Sequence, residues 1–143
     1  MEDTTTFALI APDGTLTFEK GGPHQAYAKV DPYSNAEGFT VAHPSREEAG
    51  LRAYVGGISA LKPDEFPFSP VGCGLATVLA ASYGGRLQVD VHGYLAVFGY
   101  EMLEDGDIDV AGLTAEQQEL VTTAHAEVVR LLSSDAGPTG DAR

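Results

Sequence analysis

Apolar and polar positions along the chain first predict a β-hairpin near the N-terminus. Two short apolar-rich stretches, residues 7–10 and 15–18, flank the sequence Pro-Asp-Gly at 12–14. Proline presets φ and glycine accepts a positive φ, so these residues favour a turn between two strands.

A second hairpin is predicted in the later half of the chain. Residues 87–91 alternate apolar and polar side chains with period two, and residues 94–100 form an aromatic and aliphatic run. The residues between them, His92 and Gly93, have the composition of a tight turn. The pattern is the clearest hairpin signal in the sequence.

Three stretches have helical patterns. Ser45 and Glu48 have the spacing of a capping box, which predicts a short helix over 46–54 that ends before Gly56 and Gly57. Small and apolar residues over 74–83 predict a largely buried helix that ends at a glycine pair. In the last helix, Thr114 and Gln117 form another capping box. Its apolar stripe consists of Leu113, Leu120, Val121, Ala124, Val128, Leu131 and Leu132.

The remaining stretches predict loops. Residues 21–37 are rich in glycine and proline and have no sustained period, so we expect a long irregular connection, with a short strand around Tyr27, Val30 and Tyr33 as the alternative. Residues 62–70 carry three prolines around Phe66 and Phe68, which predicts a loop held down by both rings.

Together these elements predict one α+β domain, a mostly antiparallel sheet of about four or five strands packed with two or three helices. A chain of 143 residues suits one hydrophobic core. The domain is expected to span residues 1–132. Residues 133–143 lack an apolar anchor, so we expect them to be a disordered tail.

Charge and cysteine content exclude several function classes. The 21 acidic and 8 basic residues give a formal net charge of −13, which disfavours direct binding to nucleic acid or to an anionic membrane. A single cysteine, Cys73, permits no internal disulfide and no Cys-pair zinc site. No apolar run is long enough for a spanning helix. We therefore expect a soluble, cytoplasmic protein.

The acidic run at 104–109 has three interpretations: a cation-binding loop, an acidic binding face or a solvated connection. Asp105, Asp107, Asp109 and Glu116 have the spacing of ligands 1, 3, 5 and 12 of a calcium-binding loop. The sixth position should be glycine but is Val110, so calcium stays an alternative and no cofactor is the expectation.

Cys73 is the candidate nucleophile of a hydrolase. It lies between two glycines at the start of a predicted helix, where backbone donors can lower the pKa of a thiol. Asp90 and His92 follow in the order found in papain-like enzymes. A spacing of two residues on a strand makes it hard for both to converge on one sulfur. A buried, small apolar cysteine is the competing interpretation, so a non-enzymatic protein is favoured.

The acidic residues concentrate in the second half of the sequence. Between residues 87 and 142 there are eleven carboxylates against one cation, Arg130. Such a field attracts a basic protein surface, including a groove that normally holds nucleic acid, because carboxylates can take the place of phosphates. Plain solubility is the alternative explanation of the same charge.

Several short motifs resemble a small domain family of unknown function found in actinobacteria, their plasmids and their phages. They are the strand and turn at 8–14, residues 54–57, the stretch 74–79, the strand 94–98 and the sequences at 105–107 and 112–114. The resemblance implies an accessory or host-modulating protein associated with mobile elements. It implies no catalytic residue, and the loops at 21–39 and 62–70 depart from it.

We therefore expect an interaction module that binds a basic protein partner through its acidic surface and the exposed side of the last helix. The expected binding residues are Tyr100, Glu101, Met102, Glu104, Asp105, Asp107 and Asp109. Tyr100 and Met102 would supply the apolar anchor, and the carboxylates the complementary charge. Alternatives are a hydrolase using Cys73 and a calcium-binding domain. Strand edges near Phe7 or Tyr94 offer pairing into a homodimer.

Overall fold

A computed structural model describes residues 6–30, 36–56 and 64–136 of the chain. Within these residues there are six strands and three helices, which confirms the α+β class with one strand more than expected. In chain order they are β1 Thr6–Ile10, β2 Leu16–Lys20, α1 Pro23–Val30, β3 Ala36–Ala42, β4 Gly50–Gly56, α2 Pro70–Ser82, β5 Leu95–Met102, β6 Ile108–Ala111 and α3 Ala115–Ala136.

The six strands form one antiparallel sheet with β5 at its centre. The order is β2-β1-β5-β4-β3, and β6 also pairs with β5. Along one edge of β5, residues 96–100 pair with β4. Two strands share the opposite edge: β1 pairs with residues 95–97 and β6 pairs with residues 99–102. β5 therefore has neighbours along both edges, which makes it the most enclosed strand of the sheet.

The sheet lies between two layers of helix. One face carries an aromatic cluster under α1, in which Phe7 stacks on Phe98 at 4.8 Å between ring centroids and Tyr27 from α1 meets Tyr54 at 5.1 Å. We call this the α1 face. The opposite face packs aliphatic side chains such as Ile10 against α2 and α3. Because both faces are covered, five successive residues of β5 are buried.

The first predicted hairpin is confirmed. β1 and β2 pair antiparallel from Thr6 opposite Lys20 to Ile10 opposite Leu16, and Gly14 lies in the connecting turn with a φ of 95°. The edge pairing expected near Phe7 is wrong, because β1 is flanked by both β2 and β5. The edge expected near Tyr94 is likewise occupied, since β5 begins at Leu95 and both of its edges are paired.

The helix predicted over 46–54 is wrong. Ser45 does accept hydrogen bonds on Oγ from the N–H groups of Glu47 and Glu48, at 3.3 and 3.1 Å. This local structure is only a turn, however, and β4 begins at Gly50. An alanine-like Cβ on Gly50 would lie 2.0 Å from the carbonyl oxygen of Ala42, so the close approach of β3 requires this glycine. Strand pairing therefore outweighs the helical cap.

The irregular connection predicted over 21–37 contains a helix, α1, at Pro23–Val30. Proline suits a first helical position, and the side chain of Gln25 accepts a hydrogen bond from the N–H of Gly22 at 2.8 Å. Ala26 and Val30, one turn apart, are fully buried against the α1 face. Tyr27 and Val30 are thus helical rather than part of a strand, and Tyr33 lies outside the described residues.

The hairpin predicted between 87–91 and 94–100 is also wrong, although β5 itself is confirmed. Residues 86–91 join no strand of the sheet. The chain at 91–93 instead bonds the loop before α2: the N–H of Ser69 donates to Val91 at 2.8 Å and that of Gly93 donates to Pro67 at 2.9 Å. Gly93 has a φ of 79°, and a Cβ there would lie 2.9 Å from the Phe66 ring. The preceding loop therefore takes the pairing that a hairpin would need.

The two longer helices are confirmed with different bounds. α2 begins at Pro70, earlier than expected, because Ser69 caps it by accepting a hydrogen bond from the N–H of Gly72 at 3.0 Å. α3 has the predicted reciprocal cap: Thr114 and Gln117 each bond the other's backbone N–H, at 3.0 and 3.1 Å. α3 continues to Ala136, beyond the expected domain boundary, and residues 137–143 lie outside the described residues.

Candidate functional site

The acidic run forms the turn of a hairpin between β5 and β6. The N–H of Leu103 donates to the carbonyl oxygen of Asp107 at 2.7 Å, and the N–H of Gly106 donates to Leu103 at 2.9 Å. Gly106 has a φ of 91°, as expected for the left-handed residue of a three-residue hairpin loop. Asp105 accepts a hydrogen bond on Oδ1 from the N–H of Asp107 at 2.9 Å. The loop is thus built by its own backbone and by one of its carboxylates.

The seven predicted binding residues lie at three different places on this hairpin. Successive strand side chains point to opposite faces, so Tyr100 and Met102 lie on the α1 face. Glu101 and Asp109 lie on the other face, directly opposite each other across the two strands. The three remaining carboxylates, Glu104, Asp105 and Asp107, lie in or beside the turn. The expected apolar anchor, Tyr100 and Met102, is therefore adjacent to the carboxylates of the turn. Glu101 and Asp109 lie on the opposite face of the hairpin from this anchor.

Tyr100 lies in a half-exposed patch on the α1 face. Its cross-strand partner is Val110, and Met102 lies opposite Ile108 in the same way. The guanidinium of Arg52 lies 5.6 Å from the centroid of the Tyr100 ring and 5.7 Å from that of Tyr54. We call Arg52, Tyr100, Met102, Ile108 and Val110 the open patch.

Two residues near the turn were missed by the sequence analysis. Arg52 was assigned to a helix, whereas in β4 it projects to the α1 face and donates to Thr40 Oγ1 at 3.2 Å. Leu103 at the turn is 38% exposed, a large fraction for a leucine. The sequence does contain a signal for this exposure, because Leu103 is an apolar residue directly before a run of acidic residues. An exposed leucine beside the open patch extends the apolar surface of the hairpin.

The five carboxylates of the hairpin are Glu101, Glu104, Asp105, Asp107 and Asp109. None of the five forms an ion pair with the residues that the structure describes. Arg46 lies beside the turn, and its guanidinium donates to the carbonyl oxygen of Glu104 at 3.5 Å rather than to a carboxylate. Like charges opposite each other, as at Glu101 and Asp109, destabilise a strand pair. The hairpin therefore presents a concentrated negative field to the solvent.

The calcium interpretation finds no support in the geometry. Within residues 6–30, 36–56 and 64–136 no group of three or more histidine, cysteine or acidic side chains could hold a metal ion. Asp109 accepts a hydrogen bond on Oδ1 from the N–H of Val110, and Glu116 lies in the first turn of α3, where it lines a small cleft with Glu47 and Glu48. Its carboxylate is thus separated from the turn that holds Asp105 and Asp107.

Cys73 lies within α2 and is half-buried. Its Sγ accepts a hydrogen bond from the N–H of Val91 at 3.2 Å. Burial raises the pKa of this thiol, and the negative charge of Asp90 adds to the rise, while the Val91 N–H opposes it. The expectation of a thiol activated by the helix N-terminus is therefore wrong, because desolvation dominates.

His92 has partners of its own. Its Nδ1 lies 3.3 Å from the carbonyl oxygen of Phe66, and its ring meets that of Phe68 edge-on at 5.4 Å. Asp90 is exposed at the wall of a groove. The structure therefore brings Asp90 near Cys73 but gives the sulfur and the imidazole separate hydrogen-bond partners, in contrast to the nucleophile and base of a cysteine hydrolase.

That groove has a volume of about 690 Å³. α2 forms its floor, residues 88–90 form one wall, and Val128, Leu131 and Leu132 of α3 form the other. Phe68 lies at its end and is 50% exposed, so the prediction that both rings of the 62–70 loop are packed down is wrong for this ring and right only for Phe66. The groove is mainly apolar and open to solvent.

No family model, curated protein or solved structure matches this chain. Among the helices of the described residues, none combines the length and hydropathy that crossing a bilayer requires.

Proposed function

We propose that this protein is a non-enzymatic interaction module that binds a basic protein partner through the β5–β6 hairpin. The observation that carries the proposal is the negative charge of Glu104, Asp105 and Asp107, which form no ion pair among the described residues, next to the half-exposed Tyr100 and Met102. Protein interfaces combine a small apolar or aromatic centre with a polar rim, and this hairpin offers both within a few residues.

The two parts of the hairpin have separate roles in the proposal. The carboxylates of the turn steer a cationic surface toward the hairpin, which raises the association rate at low ionic strength. Leu103, Tyr100 and Met102 supply apolar area that is removed from water in the complex and slows dissociation. The stacked guanidinium of Arg52 holds the Tyr100 ring in place, so less side-chain entropy is lost on binding.

The class of partner follows from the arrangement of charge. Carboxylates on a rigid turn can occupy positions that phosphates of nucleic acid take in a basic groove. A nucleic-acid-binding protein of an actinobacterial host is therefore the partner class we favour, in line with the mobile-element association that the family resemblance implies. Such a partner should release this protein when duplex DNA is added in excess.

The proposal is tested by capture from an actinobacterial lysate at about 50 mM and about 500 mM salt. We expect one basic protein to be retained at low salt and lost at high salt. With that protein purified, the Asp105→Lys, Asp107→Lys double variant should associate about tenfold more slowly, with a flatter salt dependence. Leu103→Ala should instead raise the dissociation rate, again about tenfold.

Matched variants separate a local effect from a change of net charge. Glu19→Lys with Glu37→Lys makes the same charge change on the outer strands β2 and β3, away from the turn. Asp105→Asn keeps an acceptor for the N–H of Asp107 and checks that the turn itself survives. Association rates that fall equally in the β2/β3 variant, or that stay unchanged in the turn variant, would remove the hairpin from the proposal.

A further inference from the structure

Residues 86–91 are a strand-like segment outside the sheet. They contain no helix, turn or bend, and their exposure alternates: Arg86, Gln88 and Asp90 are exposed, whereas Leu87 and Val89 are half-buried and pack on the core. Alternating burial of this kind is typical of an extended chain with one face on the core. We call this stretch the 86–91 segment.

Among the described residues, the hydrogen bonds that hold this segment all reach one side of its backbone, at Leu87 and Val91. The carbonyl oxygen of Leu87 accepts from Thr77 Oγ1 at 3.0 Å. The N–H of Val91 donates to Cys73 Sγ, and its carbonyl oxygen accepts from Ser69. Val89, on the same side, has no backbone hydrogen bond from any residue in the described ranges, and none reaches the backbone of Gln88 or Asp90. In an extended chain, alternate residues direct their N–H and C=O groups to opposite edges, so these two direct theirs outward.

We propose that two copies of the chain associate by antiparallel pairing of their 86–91 segments about a two-fold axis at Gln88. In this register Gln88 meets Gln88 of the second copy, and the outward backbone groups of Gln88 and Asp90 are bonded. Leu87 comes opposite Val89, and Arg86 comes opposite Asp90, twice by symmetry. The interface is isologous, as in most homodimers.

The charge pattern selects a second copy as the occupant. From residue 86 to residue 90 the sequence Arg-Leu-Gln-Val-Asp places a cation, an apolar residue, a polar centre, an apolar residue and an anion, so its two ends carry opposite charges. Antiparallel pairing with itself therefore matches charge with opposite charge at both ends and apolar with apolar between them. A peptide with basic side chains throughout would meet Arg86 as a like charge. The segment also carries no lysine or proline, the residues that usually protect an exposed edge from pairing.

Sedimentation of the full chain over a range of concentrations at about 150 mM salt tests the proposal. We expect a reversible monomer–dimer equilibrium. Arg86→Asp and Asp90→Arg, made singly, each create two like-charge pairs across the axis and should each weaken the dimer about ten- to thirtyfold. The double exchange Arg86→Asp, Asp90→Arg restores both pairs and should return the dimer to near the original strength.

Mixing the two single variants gives a sharper test. One copy then carries aspartate at both positions and the other arginine at both, so the mixed dimer has two complementary pairs although each variant alone has none. We expect the 1:1 mixture to dimerise where the separate variants do not. Gln88→Pro removes the central N–H donor, which has no partner among the described residues of its own chain, and should abolish dimerisation. Its melting temperature should equal that of the wild type at concentrations where the wild type is monomeric, because dimerisation itself raises the melting temperature.

Two results would overturn the proposal. A chain that stays monomeric at every concentration shows that the segment does not pair with itself, even if it binds a peptide of another protein. A dimer whose strength ignores the single reversals, the mixture and Gln88→Pro forms through a different surface. Neither result bears on the β5–β6 hairpin, whose charges lie outside the segment, so the two proposals succeed or fail separately.

Discussion

β5 and the 86–91 segment are close in sequence and both have strand-like composition, yet they have opposite environments. β5 is paired along both edges, and its first five residues, 95–99, are buried on both faces of the sheet. The 86–91 segment has one bonded edge and one exposed edge, and half of its side chains face the solvent. The difference shows that the period-two pattern reports one buried face and one exposed face rather than membership of the sheet. A continuous apolar run marks the central strand instead.

The largest effect that separates the two regions is expected for matched leucines. Leu95→Ala in β5 removes a fully buried side chain and should lower the free energy of unfolding by about 2–5 kcal/mol. Leu87→Ala removes a half-buried one, leaves no closed cavity, and should cost about 1 kcal/mol or less. Urea unfolding monitored by circular dichroism measures both. Equal losses would mean that the 86–91 segment is as much part of the core as β5.

A smaller effect is expected where α3 is attached to the sheet beside β5. Gln117 is 5% exposed; its Nε2 donates to the carbonyl oxygen of Gly50 at 2.8 Å, and its Oε1 accepts from the N–H of Thr114. Gln117→Ala leaves both groups without their partner and should cost about 1–3 kcal/mol. Gln118→Ala is the matched control, because its half-buried side chain donates one hydrogen bond among the described residues, to the carbonyl oxygen of Leu113. A larger loss in the control would contradict this assignment.

A still smaller effect on stability is expected for the hydroxyl of Thr77, which bonds the 86–91 segment to α2. Thr77 Oγ1 contacts the carbonyl oxygens of both Cys73 and Leu87. Thr122 in α3 bonds the carbonyl oxygen of Gln118, one turn earlier in its own helix, and no other group of the residues that the structure describes. Both are exposed helical threonines, so Thr77→Val should cost about 0.5–1 kcal/mol more than Thr122→Val, the difference being the bond to the segment. Identical melting temperatures would show that this bond does not hold the segment.

Features that depend on neighbouring residues were predictable from the sequence. The β1–β2 turn and the reciprocal cap of Thr114 and Gln117 are formed by residues a few positions apart, so the sequence contains the whole interaction. The α+β class followed from such elements. In the candidate site, the acidic turn and the half-exposed Tyr100 and Met102 were predictable for the same reason.

Features that depend on distant residues were not predictable. The turn after Ser45 has the same local hydrogen bonds as a helix cap, and only the pairing of β4 with β3 and β5 makes the next residues a strand. His92 and Gly93 look like a hairpin turn until the loop at 66–69 supplies partners for the chain there. Arg52 was predicted to lie in a helix rather than in β4. Its contact with Tyr100 on the neighbouring strand β5 could therefore not be predicted.

The smallest expected effect concerns Cys73, whose sulfur holds the end of the 86–91 segment. The pKa of this thiol is raised above the ordinary 9.0, chiefly by burial, so the native state keeps the thiol proton more strongly than the unfolded chain does. The stability associated with this proton is present in full below pH 9.0 and is lost as the pH rises through the raised pKa. Above that point the melting temperature of the wild type should fall slightly more than that of Cys73→Ala.

Alkylation by iodoacetamide gives a direct readout of the same thiol. At about pH 8 the native protein should react more slowly than the chain in guanidinium, because only the thiolate reacts and burial disfavours it. Asp90→Asn removes a nearby negative charge that raises the pKa and should accelerate the reaction, whereas Asp105→Asn in the hairpin turn should not. Native labelling as fast as that of the unfolded chain would mean that the segment does not cover Cys73, and the distinction between a bonded inner edge and a free outer edge would be lost.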